Sequence, residues 1–333
     1  MRFGFFFWPY SPEYTQRMAR LGEDLGFDLV GIADTPVNAM DPWVALTLAA
    51  AATTRVRLAM CVTNLVSRHP AATAAAAASV ELVAPGRVVL GVGAGHSGVT
   101  SVGGAPAGPR ALRDGVECLK TLLRGERATY AGAEVQLPWV RRAVPVYAAA
   151  SGPAALRAAG AVADGVFVNY GLEPALVRDA AALIRAGAEA AGDGARDLEA
   201  WHVACLDCSD AREEAFEKLG NILGFVGAYI LGGAPERRGV PAELQPAARR
   251  LRETYTTRQG EMDPGLVRRL GLFDYLRRRL AIAGTPADCI EQVRAARQAG
   301  VRRLMFTVSL ASDPVRTVEL FGRKVLPLTR PSR

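Results

Sequence analysis

The sequence predicts an α/β chain folded as a (β/α)8 TIM barrel, with one helical insertion after the seventh strand. Three observations lead there. Short runs rich in β-branched and aromatic residues alternate with longer helical runs, eight times over. The β-rich runs are apolar almost throughout, as expected of parallel strands buried on both faces. The length, 333 residues, accommodates eight such units with an insertion in one domain. A doubly wound dinucleotide-binding pair is the alternative.

The elements follow in order. Phe3 to Trp8 forms strand one, and Ser11-Pro12 starts a helix with a hydroxyl cap and a proline in the first turn. Asp28 to Ala33 is strand two, and Asp41-Pro42 caps the second helix. Arg55 to Thr63 is strand three. The alanine run 71–78 is a helix, because alanine is the best helix former and packs closely on a sheet. Val88 to Val92 is strand four. A helix over 109–123 and a small hairpin over 129–137 precede strand five, Pro145 to Ala149. Helix 154–163, strand six (Gly165 to Asn169), helix 174–191 and strand seven (Glu199 to Leu206) follow. About 210–279 is the helical insertion. Thr285-Pro-Ala-Asp288 caps a further helix, Val301 to Val308 is strand eight, and a last helix starts at Pro314.

Composition narrows the function classes. Half the residues are hydrophobic and 22% are charged, as in a well-filled globular protein. No apolar run reaches the ~20 residues of a membrane span. The amino terminus enters a strand at once, with no signal-peptide pattern, so a cytoplasmic location is expected. The net charge is +7, dominated by arginine. No nucleic-acid module accompanies it, and a phosphorylated cofactor suits the charge better. Five cysteines form no disulfide framework, and three scattered histidines offer no metal-ligand spacing. Cys205-Leu-Asp-Cys208 fits a strand as well as a redox motif.

Gly93-Ala-Gly-His-Ser-Gly98 after strand four has the spacing G-x-G-x-x-G. Such a turn lets backbone N–H groups approach a phosphate. A dinucleotide fold would open a long helix here, but Ser101 to Pro109 is rich in proline and glycine. In a barrel the functional residues stand at the C-terminal ends of the strands. Those ends are Asp34-Thr35, Cys61-Val62-Thr63-Asn64, Gly93 to Ser97, Ala149-Ala150-Ser151-Gly152 and Asn169-Tyr170. The loops after strands four and five are both small and glycine-containing. They are expected to face each other across one phosphate.

Val62-Thr-Asn64 with Arg68-His-Pro70, Leu90-Gly-Val-Gly-Ala-Gly95 and Ala149-Ala-Ser-Gly-Pro153 followed by Ala163-Asp-Gly-Val166 resemble the bacterial luciferase-like superfamily. They are most similar to its coenzyme F420 branch, which includes the methylenetetrahydromethanopterin reductases. The resemblance implies a deazaflavin, or alternatively FMN, across the C-terminal mouth. It implies a non-proline cis peptide at Cys61-Val62, supporting the ring from behind. Thr63 and Asn64 would bond the ring or its side chain. Gly93, Ala94, Gly95, His96, Ser97, Ala150, Ser151 and Gly152 would surround the phosphate, and Asp34 would lie near the reacting face. A homodimer and a small organic substrate are also implied.

One departure stands out. Deazaflavin members often carry Asp-His after strand two, where this chain has Asp34-Thr35. Proton transfer is then left to Asp34, Cys61, His96 or solvent. The expected reaction is hydride transfer between coenzyme F420 and a small substrate. The alternatives are an FMN-dependent monooxygenase using reduced flavin and O2, and a non-catalytic subunit.

Overall fold

A computed structural model describes residues 1–192, 198–231 and 233–330. Eleven strands are present among these residues: β1 (Arg2–Phe7), β2 (Leu29–Ile32), β3 (Arg57–Asn64), β4 (Val88–Gly93), β5 (Ala128–Tyr130), β6 (Ala133–Val135), β7 (Val146–Ala150), β8 (Gly165–Val168), β9 (Glu199–Cys208), β10 (Ala281–Gly284) and β11 (Arg303–Thr307). Eight of them close a parallel barrel in the order β9-β11-β1-β2-β3-β4-β7-β8, and β8 pairs back onto β9. Strands β5 and β6 form the expected antiparallel hairpin outside it.

The sequence pattern explains the closure. Phe6, Leu29, Ala59, Val89, Tyr147, Phe167, Trp201 and Met305 pack into one cluster, one from each barrel strand. A cluster drawing on every strand can only fill the barrel interior. The neighbouring positions, such as Phe5, Phe7, Val30, Leu58 and Leu90, point outward and pack under the helices. Each strand is therefore apolar on both faces, which is why the runs read as continuous rather than alternating.

The helices start where the sequence places their caps. Ser11 accepts from Tyr14 N, Asp41 from Trp43 N and Val44 N, and Thr285 and Asp288 form a reciprocal capping box. Two local features depart from expectation. The glycine turn after β4 does open a helix, over His96–Thr100, though only five residues long before the proline- and glycine-rich run ends it. And the insertion delivers an extra parallel strand, β10, which pairs with Cys205–Cys208 at the upper half of β9. Its four residues, Ala-Ile-Ala-Gly, are too short to stand out beside a helix.

The insertion packs over the barrel mouth. Helix 219–231 and the segments following it bury Leu223, Val226, Leu251 and Leu276 against Trp8, Ala33 and Cys205 at the strand ends. No helix among the described residues is long and apolar enough to cross a membrane.

The opposite end of the barrel is closed by charge. Glu199 accepts from Arg57 at 2.9 Å and from the Tyr147 hydroxyl, with Trp201 Nε1 and Arg2 both at 3.3 Å. Burial disfavours the carboxylate, but the bonds from Tyr147 and Arg57 outweigh it and hold its pKa down at about 2. Its ordinary value is 4.5. The stability it contributes is therefore present above pH 4.5 and is lost as pH falls toward 2. Glu199→Ala should destabilise the protein by about 2–3 kcal/mol at pH 7, since it leaves the half-buried Arg57 without its carboxylate, with only the Tyr147 hydroxyl beside it. The difference between variant and wild type in chemical denaturation should shrink between pH 4.5 and 2.

Candidate active site

A cavity of about 340 Å³ lies between the barrel mouth and the insertion. Its depth is apolar, with Phe6, Trp8, Phe167, Val203 and Phe225 in the wall. Its polar groups come from the ends of five strands and from the insertion. Such a chamber, mostly apolar with a few convergent polar groups, is the usual form of a small-molecule site.

Strand β3 provides the floor. The Cys61–Val62 peptide is cis, as the family resemblance implied. The β3–β4 register shifts between Met60 and Thr63, so the strand bulges there and turns Cys61 and Val62 into the cavity wall. Full burial pushes the Cys61 thiol pKa up, so the group stays protonated.

Asp34, after β2, lines the cavity and accepts a 2.7 Å hydrogen bond from Thr63 Oγ1 at its Oδ2. Burial raises its pKa above the ordinary carboxylate value, and the Thr63 hydroxyl opposes that rise. Thr35, beside it, is buried, with its hydroxyl 3.5 Å from Ser97 Oγ.

The loops after β4 and β7 meet on the same cavity. Gly93, Ala94, Gly95, His96 and Ser97 line one side, and Ala149, Ala150 and Ser151 the next. Gly95 caps the short helix with φ +88°. A Cβ there would sit 2.4 Å from Val99 Cγ2 and 2.9 Å from Asn64 Cβ, so only glycine lets this loop close onto the β3 end.

The His96 ring lies 4.7 Å from that of Tyr229, tilted by 32°. Tyr229 comes from the insertion and receives a hydrogen bond from Asn169 Nδ2, at the end of β8. Burial pushes the Tyr229 pKa up. Burial first, and the Arg252 charge second, lower His96 to about 4, so its imidazole is neutral near pH 7. His96 Nδ1 and Asn169 Oδ1 are buried without a hydrogen-bond partner among the described residues. Both atoms await a ligand's polar group.

Three expected contacts take a different form. Thr63 is buried behind the wall and reaches the cavity only through Asp34. Asn64 lines the cavity, but its Oδ1 is already engaged by Val66 N, Ser67 N and Ser67 Oγ at 2.8–3.0 Å, bracing the loop after β3. Gly152 is covered: the Arg238 guanidinium lies 2.5 Å from where its Cβ would be, and Arg238 Nη1 is 3.4 Å from Ser151 Oγ. The remaining expected residues line one cavity.

Sequence reasoning missed Trp8, Phe225, Tyr229 and Arg252. Trp8 follows β1 and obeys the strand-end rule. The other three belong to the insertion, where no spacing marks them.

The luciferase-like monooxygenase family model matches residues 1–303. A 5,10-methylenetetrahydromethanopterin reductase of Archaeoglobus fulgidus is 29% identical over 98% of this chain and 99% of its own length. An F420-dependent glucose-6-phosphate dehydrogenase of Nakamurella multipartita is 30% identical over 96% of this chain and 94% of its own. The solved coenzyme F420-dependent tetrahydromethanopterin reductase of Methanopyrus kandleri superposes with a TM-score of 0.80 at 24% identity, over 99% of both chains. The barrel fold is thus shared with that solved neighbour, and the chain belongs to the luciferase-like monooxygenase family.

Proposed function

We propose that the protein is an oxidoreductase that moves a hydride between coenzyme F420 and a small organic substrate, as a cytoplasmic homodimer. The observation that carries this reading is the convergence, on one apolar cavity, of the Cys61–Val62 bulge and the two loops after β4 and β7. The full-length F420-dependent relatives support it. Five buried free cysteines suit a reducing compartment.

The residues present fit a deazaflavin. The Gly95 cradle admits no Cβ, and the orphaned His96 Nδ1 and Asn169 Oδ1 offer polar partners within an apolar chamber. Cys61 and Val62 would support the ring, while Gly93 to Ser97 with Ala150 and Ser151 would hold the phosphate. The coenzyme, when bound, supplies the hydride chemistry. The chain's own part is to position, to exclude water and to handle a proton.

Asp34 is the group best placed for the proton. It lines the cavity, its raised pKa brings its acid form nearer neutrality, and Thr63 fixes one oxygen. Neutral His96 serves as a hydrogen-bonding wall, and the protonated Cys61 thiol as an apolar one. Thr35 carries no titratable group, so the imidazole that deazaflavin members often carry at this strand end has no counterpart at that position.

Fluorescence titration of the purified protein should give saturable binding of F420 and none of FMN at the same concentrations. Binding of FMN alone, with oxygen consumption on addition of reduced FMN, would support the monooxygenase reading instead. Asp34→Asn should leave coenzyme affinity within about threefold and lower turnover by about 10²–10⁴. Thr63→Val removes the bond that opposes the upward shift. The Asp34 pKa, followed by carboxyl carbon NMR, should therefore rise, and activity that needs the acid form should extend to higher pH.

A further inference from the structure

A second cavity, of about 410 Å³, opens beside the chamber. The two share His96 and Arg252 as a common wall. Their chemistry differs. Beyond the shared pair, the outer cavity is framed by the hydroxyl residues Thr100, Ser101, Tyr255, Thr256 and Thr257, with Arg258 beside them. Besides the shared His96, two of its residues have a buried polar atom without a hydrogen-bond partner among the described residues: Ser101 Oγ and Tyr255 Oη. Buried polar atoms are normally paired, and two orphans at one cavity, beside a guanidinium unpaired among the described residues, point to a ligand.

Arg252 is their complement. Arg249 and Arg250, on the same helix, pair with Glu236 and Glu253. Arg258, across the cavity, pairs with Glu261. Arg252 has no carboxylate partner among the described residues. Its Nη1 lies 3.0 Å from where a Cβ of Gly233 would be, so the missing side chain leaves it room. Its field also reaches the chamber, since it adds to burial in depressing the His96 pKa.

We propose that the outer cavity is an anion site, in which Arg252 holds a phosphate or carboxylate of a molecule whose reacting part occupies the chamber. A guanidinium matches the planar fork of either anion and is desolvated at lower cost than an ammonium. The anion has two sources, the acidic tail of the coenzyme or an acidic substituent on the substrate. This rests on the chamber being the site of reaction.

The test compares wild type with Arg252→Gln, Arg252→Lys and the control Arg250→Gln, all checked for an unchanged melting temperature. Calorimetry with inorganic phosphate should show two sites in wild type, the glycine loops and the outer cavity, of which the second weakens about tenfold in Arg252→Gln, is partly restored in Arg252→Lys and is unchanged in Arg250→Gln. Fluorescence titration then uses intact F420 and its chromophore stripped of phosphate and glutamates. If the anion is the coenzyme tail, Arg252→Gln weakens the intact coenzyme about tenfold and leaves the stripped chromophore alone. If it belongs to the substrate, both coenzyme forms bind as before, and phosphate still binds coenzyme-saturated wild type but not saturated Arg252→Gln. Unchanged phosphate and unchanged intact-coenzyme binding in Arg252→Gln would overturn the proposal. Failure of intact F420 to bind wild type would instead overturn the coenzyme assignment, whatever phosphate does.

Discussion

Strand β9 runs for ten residues, and the barrel closes through it. Its start, Glu199–His202, pairs with β8, its middle, His202–Cys205, with β11, and its end, Cys205–Cys208, with β10. Glu199 at its start gathers Arg57, Tyr147, Trp201 and Arg2 across the barrel floor. Cys205, further along, meets the insertion. One strand thus sets the closure, the charged floor and the point where the roof is attached. All eight parallel strands then end on one rim, and the polar groups at those ends can only converge.

What the rim does follows from contrast in polarity. Apolar walls weaken charge, which is why Asp34 and His96 both shift toward their neutral forms. A carboxyl group with a raised pKa and a neutral imidazole in an apolar chamber suit a proton held apart from bulk water. The Thr63 hydroxyl moderates the first of these shifts, and Arg252 strengthens the second.

Much of this was legible in the sequence. Eight buried strands, their capped helices and the hairpin followed from periodicity, proline and cap residues, because parallel strands and N-caps have local signatures. The strand-end rule brought Asp34, Cys61, Val62, Gly95, His96 and Ser151 to one list, and they line one cavity. What was not legible depended on tertiary contact. Thr63 looks like a site residue by position, but side-chain direction alternates along a strand, and it bonds Asp34 from behind. Gly152 looks open, yet Arg238 from the distant insertion covers it. Tyr229 and Arg252 sit in ordinary helical sequence, and only the packing of the insertion on the mouth gives them a role. The four residues of β10 become a strand because β9 extends far enough to pair with them.

The central claim is that the Cys61–Val62 bulge and the loops after β4 and β7 form one coenzyme site. Crystallography of the F420 complex tests it most directly. The account predicts density for the ring against Cys61 and Val62, and for the phosphate in contact with both the Gly95–Ser97 and Ala150–Ser151 segments. Ring density away from the bulge, or a phosphate touching neither loop, would contradict it.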